Sequence, residues 1–297
     1  MPRTSRAAIT LAEEQPRTRR HRVVGWLVVA VVAAGVVFAA YLGGRHLYQS
    51  FQSPRCQATT AGTTVTLTPE QMSNAATIVG IASKRGLPAR AGTIGVTTAI
   101  QESKLRNLEY GDRDSVGLFQ QRPSQGWGTV DQLLDTEYST NRFYDALVKI
   151  DGWQTMEITK IAQKVQRSAA PEAYADHEQE GRVLADTLSG YTTAAVTCTL
   201  DPAKGAGDPA AYLTMLTREL GRTGTRSGHT VTVGAQDARR AWATGQWSVA
   251  KAEELGITAV TVGDREWRRG EGSSARSWHA AKDPIKATSV RVTFATA

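Results

Sequence analysis

Residues 101–128 read QESKLRNLEYGDRDSVGLFQQRPSQGWG, and the rest of the chain is best read outward from them. Upstream, Pro88 opens a helix whose apolar positions Ile94, Ala99 and Ile100 follow helical spacing, so Glu102 falls near its C-terminal end. A carboxylate there meets the negative end of the helix dipole, an unfavourable place for an anion without a task. The loop that follows contains GDRDS, in which Asp112 and Asp114 are natural turn-formers. Two other readings of this Asp pair stay open: a second acidic group for catalysis, or a short D-x-D cation site. Val116–Gln120 then reads as a short extended piece.

The surroundings read as helical. A first helix starts at Thr68-Pro69-Glu70, with a capping Thr and a Pro at the first helical position, and stops at Gly86. Further helices are expected over 137–150, 157–168 and 172–189. Residues 65–199 thus form a mostly α domain, preceded by a polar Ser/Thr-rich stalk over 45–64. Residues 200–207 (LDPAKGAG) are a linker by composition. Beyond it, 208–297 reads as a small α/β (α+β) domain: a helix near 208–220, strands at Thr230–Val233, Ile257–Val262 and Thr288–Thr293, and a helix over Ala235–Leu255. In that helix Trp242, Ala243, Trp247, Ala250 and Leu255 share one face. Trp127 and Trp153 can be core residues or sugar platforms.

The N-terminus sets the compartment. Residues 23–44 carry no charge and, as a helix, would span about 33 Å, enough for a bilayer core. The basic tail, residues 1–22, holds Arg17, Arg19, Arg20 and Arg22 close to the apolar stretch, against Arg45 on the far side. The positive-inside rule places the tail in the cytoplasm and the bulk outside, on a single-pass signal anchor in the cell membrane. A cleaved signal peptide is the alternative, and it also gives an exported protein. Cys56 and Cys198, the only cysteines, bracket the central segment, and in an oxidising space such a pair forms a structural disulfide. The five His are scattered without ligand spacing, so neither a metal nor another cofactor is expected. The net charge is +7, much of it in the N-terminal tail, which disfavours nucleic acid as a partner.

Glu102-Ser103 at a helix end, followed by Gly117-Leu118-Phe119-Gln120, resembles the lysozyme-like superfamily, and within it the soluble lytic transglycosylases. The resemblance covers roughly residues 65–195. It implies a peptidoglycan glycan strand as substrate and Glu102 as the one catalytic carboxyl, first acid and then base toward the sugar's C6 hydroxyl. It implies that Ser103 orients Glu102 and that Gly117, Leu118, Phe119 and Gln120 line the cleft. The family's Ala-Tyr-Asn-x-Gly motif is replaced here by Ala162–Ser168, where Gln163 or Gln166 would supply the amide, with Tyr174 as the aromatic. The pattern looks like an actinobacterial variant, and the C-terminal region resembles a module of actinobacterial secreted cell-wall proteins. There 14 Lys and Arg stand against 10 Asp and Glu over 200–297, a surplus suited to anionic wall polymers. Two alternatives remain: a non-catalytic peptidoglycan-binding scaffold that recruits other cell-wall enzymes, and a hydrolytic lysozyme using Asp112 or Asp114.

Overall fold

The computed structural model describes residues 19–50, 54–166 and 171–296 in two compact units, one ending at Ser53 and one starting at Pro54. In the first, helix α1 spans Arg19–Ser50. Its stretch Val24–Gly44 has a mean hydropathy of 2.3 and is long and apolar enough to cross a membrane. Every residue of that stretch is exposed, its valines and Phe38 included. Residues 1–18 of the basic tail lie outside the described residues.

The second unit opens on a hairpin, which corrects the stalk expected over 45–64. Strands β1 (Arg55–Thr60) and β2 (Thr63–Leu67) pair antiparallel around Ala61-Gly62, both at positive φ. The Ser/Thr-rich composition that suggests a stalk is mainly threonine here. Its branched Cβ favours a pleated strand, and the Thr59 and Thr64 hydroxyls bond across the hairpin at 3.0 Å. Strand β3 (Val196–Thr199) completes a sheet of order β2-β1-β3, with Cys56 directly opposite Cys198 and disulfide-bonded to it.

Between β2 and β3 lie the helices α2 (Pro69–Lys84), α3 (Ala89–Ser103), α4 (Val130–Leu134), α5 (Thr136–Leu147), α6 (Ile158–Gln166) and α7 (Glu178–Leu188). A capping box of Thr68 and Gln71 starts α2, as the Thr-Pro signal suggests. The expected helix over 172–189 begins instead as a 3-10 turn, Pro171–His177. The expected extended piece at 116–120 is reduced to one bridge, Val116 to Gln121, in a loop of turns. Helices α3 and α7 pack closely because Gly181 lacks a side chain: a Cβ there would fall 2.2 Å from the Thr97 hydroxyl.

The remaining elements are α8 (Pro209–Leu220), β4 (Thr225–Ser227), β5 (Thr230–Gly234), α9 (Ala238–Ala250), α10 (Ala252–Leu255), β6 (Ile257–Val262), β7 (Arg265–Arg268), β8 (His279–Ala280) and β9 (Ser289–Phe294). The strands form one antiparallel sheet of order β4-β5-β9-β6-β7-β8. Helix α9 packs on it through Trp247, in a cluster with Tyr212 and Phe294.

The linker at 200–207 does not divide this unit into two domains. Helix α9 carries a second packing face toward the first half. There Gln246 Oε1 accepts from the backbone N–H of Ala195 at 2.7 Å and of Val196 at 3.0 Å. Trp278 Nε1 donates to the Val196 carbonyl at 2.9 Å. Deeper still, Lys251 Nζ pairs with Glu219 Oε1 at 3.0 Å and donates to the Thr77 hydroxyl of α2 at 2.8 Å, while Trp247 Nε1 donates to Glu219 Oε2 at 2.7 Å. Both members of this ion pair are buried. The period of an amphipathic helix reveals one apolar stripe, and it is blind to a buried polar face on the other side.

Candidate functional site

Helix α3 delivers Glu102 at its last turn, and the chain then leaves the helix abruptly. Lys104 and Leu105 take φ of 55° and 58°, a left-handed pair that residues with a Cβ adopt only at a cost. The turn is held from several sides. Lys104 N–H donates to the Ile100 carbonyl at 2.8 Å and Leu105 N–H to Ala99 at 3.0 Å. From α2, Gln71 and Asn74 donate to the carbonyls of Lys104 and Leu105, each at 2.8 Å.

Ser103 is buried, and its hydroxyl is used within the fold, bonding the Ala99 and Leu118 carbonyls at 3.0 and 2.7 Å. It pins the Gly117–Gln120 segment to the helix end; no bond to Glu102 is formed, contrary to the orienting role expected. Gly117 has φ +79°, and a Cβ there would fall 2.4 Å from the Leu133 carbonyl oxygen, so only glycine fits. Leu118 and Phe119 are wholly buried, with Phe119 stacked on Phe143 at 4.6 Å. They belong to the core and do not line a cleft with their side chains. A hydrophobic residue in this motif is read equally well as lining or as core, and burial decides for core. Gln120 folds back on its own loop, donating to the Gly117 carbonyl at 3.1 Å and accepting from Ser115 at 3.1 Å.

What the motif presents to the site is backbone. The Phe119 carbonyl accepts from Gln166 Nε2 at 2.6 Å, which draws the end of α6 to the end of α3. Tyr174, on the 3-10 turn and fully buried, donates its hydroxyl to Glu102 Oε1 at 2.7 Å. Glu102 thus sits with Tyr174 and Gln166 as hydrogen-bonding neighbours. Burial raises its carboxyl above the ordinary range, and the bonds from Tyr174 and then Gln166 offset part of that rise. Gln166 Oε1 is buried with no partner among the described residues, an acceptor left open beside the carboxyl. The intervening residues 167–170 lie outside the described residues.

Asp114 is differently employed. Arg122 Nε donates to its Oδ1 at 2.7 Å, Ser124 N–H to Oδ2 at 2.8 Å and the Ser124 hydroxyl to Oδ1 at 3.0 Å. These donors, the Ser124 backbone first, hold its carboxyl far below the usual carboxylate range. Asp114 is the brace of the 112–124 loop, and Arg122 is spent on it. The side chain of Asp112 is almost fully exposed, 3.9 Å from Arg113. Trp153 is buried core, and Trp127 is partly buried against the core.

Two concavities were not foreseen from the sequence. A groove of about 790 Å³ lies between α2, α8 and α10, with Ser73, Met215, Arg218 and Lys251 among its lining; Glu102 does not line it. A smaller pocket sits between the 125–127 turn, α5 and α6. Neither has a sequence signature, because each is lined by residues from three or more separate segments. No family model matches the chain, and neither does any curated protein.

Proposed function

We propose that this protein cleaves peptidoglycan glycan strands by a lytic transglycosylase mechanism, with Glu102 as the general acid, in a lysozyme-like domain held outside the cell by residues 23–44. The observation that carries the reading is the Tyr174–Glu102 bond beside a desolvated carboxyl at the end of α3. Cleaving a glycosidic bond needs a proton on the leaving oxygen while positive charge grows at the anomeric carbon. A carboxyl whose proton is held by desolvation is the group to give it. Because Tyr174 donates to Oε1, the proton of the neutral acid belongs on Oε2. The Cys56–Cys198 disulfide and the long apolar helix fit an exported chain. The C-terminal half, with its basic surplus, then serves the same wall-bound body.

The lysozyme alternative needs a second carboxylate free to attack or to activate water. Asp114 is held by three donors, and the exposed Asp112 is not a hydrogen-bonding neighbour of Glu102, which favours a mechanism in which the substrate's C6 hydroxyl closes the ring. Products of the full chain on purified peptidoglycan should end in 1,6-anhydro sugars, lighter by one water and inert to borohydride by mass spectrometry. Asp114→Asn should slow cleavage only through its loop, by about tenfold or less. Reducing ends, with a far larger loss on this substitution, would establish hydrolysis instead.

Tyr174→Phe gives a signed test of the site. The phenol stabilises the carboxylate form of Glu102, so its loss raises the carboxyl further. Cleavage by a general acid falls as pH rises through that carboxyl's pKa. The alkaline limb of the pH–rate profile should therefore move to higher pH, while kcat drops about tenfold to a hundredfold from lost positioning. A limb that stays put or moves down would show that Tyr174 does not act on Glu102.

A further inference from the structure

The smaller pocket, about 320 Å³, gathers cations that form no ion pair among the described residues. Arg142, Lys149 and Lys164 line it, with Trp127 as part of its wall and Asp145 as its one acid. Asp145 is already paired with Arg85 at 2.8 Å. Arg142 is fixed by donating Nε to the Trp127 carbonyl at 3.1 Å and Nη2 to that of Gly126 at 3.2 Å, which holds its guanidinium in place. Lys149 and Lys164 are exposed and form no ion pair among the described residues. Three like charges around one concavity repel each other and concentrate a positive field there, a cost that an anion removes.

The pocket and the candidate site share helix α6, which supplies Lys164 to the one and Gln166 to the other. Lys164 and Gln166 are two residues apart on α6, about 3 Å of rise, and project from nearly opposite sides of the helix. A small molecule could fill only one of the two places, whereas a polymer can reach both. We propose that this pocket binds a carboxylate on the peptide side chains of the glycan strand, which is a specificity site for acidic, peptide-bearing strands. The inference rests on the proposed glycan-cleaving function.

The test uses the full chain in detergent, carrying Glu102→Gln so that strands stay intact, and measures binding to two preparations of soluble peptidoglycan. One is native; in the other the carboxylates are converted to neutral amides with carbodiimide and ammonium. Native strands should bind about fivefold to tenfold more tightly than amidated ones. Adding Lys149→Gln and Lys164→Gln should abolish that difference, as should about 1 M salt, which shortens screening to a few ångströms. The proposal is overturned if the double Lys change leaves native binding unaltered, or if no variant binds native strands. It is overturned too if amidation is harmless while the Lys changes weaken binding, since the anion recognised would not be a carboxylate. Failure of the glycan-cleaving reading looks different: the unsubstituted chain then leaves native strands uncut.

Discussion

Glu102→Gln should reduce cleavage of peptidoglycan by about 10²–10⁴-fold, and to background if no other proton source substitutes. The change is nearly isosteric. Its amide can still accept from the Tyr174 hydroxyl that now donates to Oε1 at 2.7 Å, so the site keeps its geometry and loses only its proton. Stability supplies the control. Because burial raises the carboxyl, the folded protein holds this proton more tightly than the unfolded chain does. The stabilising contribution is thus fully present below the unfolded pKa and is lost as pH rises through the folded one. The Gln variant lacks this dependence, so it should match the parent at low pH and gain on it slightly as pH rises. Product release on intact strands, followed by chromatography, checks the first, and urea denaturation of both proteins across pH checks the second. A variant that keeps more than a few per cent of parental cleavage would remove Glu102 from the mechanism.

The largest effect on stability should come from Lys251→Met. It strands the Glu219 carboxylate, buried between α2, α8 and α9, with Trp247 and Thr77 as its remaining donors. An uncompensated buried charge of this kind costs about 3–5 kcal/mol. Combining Lys251→Met with Glu219→Gln removes the charge, keeps one acceptor oxygen for Trp247 and turns an N–H toward the Thr77 hydroxyl, which can accept it while donating to the Ser73 carbonyl, so most of that loss should return. Urea denaturation of the four proteins in this cycle, read by tryptophan fluorescence, separates the pair from its parts. Equal losses in the single Lys and the double variant would mean that the charge itself matters little.

Much of the fold could be read from the chain. The Thr68-Pro69 start of α2, the helix that ends on Glu102 and the strands at 230–234 and 257–262 all follow from local signals, and the structure forms each of them. Local signals failed where the decisive partner is distant. Strand β7, Arg265–Arg268, is not among the strands expected from the sequence, yet pairing with β6 makes it a strand and buries Trp267. The threonines of β1 and β2 read as a stalk because the alternating apolar positions, Cys56 and Ala58 in one strand and Val65 and Leu67 in the other, are too few to outweigh a Ser/Thr-rich composition. At the site, Glu102 stands out as a local anomaly, a carboxyl at a helix end, and Tyr174, singled out only through the resemblance, is hydrogen-bonded to it. Ser103 and Phe119 were misjudged for the opposite reason. A hydroxyl or a ring next to a reactive group can face the site or the core, and only the packing of Phe143 and the Leu118 carbonyl settles it.

The position of the disulfide has a mechanical consequence. Cys56 is the second residue of β1, and Cys198 lies next to the last residue of β3. Suppose tension enters the chain upstream of Arg55 and is resisted by a hold on the segment beyond Leu200. The load then crosses from residue 56 to residue 198 through a covalent bond, and the 141 residues between carry none of it. Glu102, Tyr174 and Gln166 all belong to that bypassed loop. The site would keep its shape under a pull strong enough to unzip strands elsewhere, and with the bond reduced only the β1–β3 pairing would stand between that force and the helix that carries Glu102.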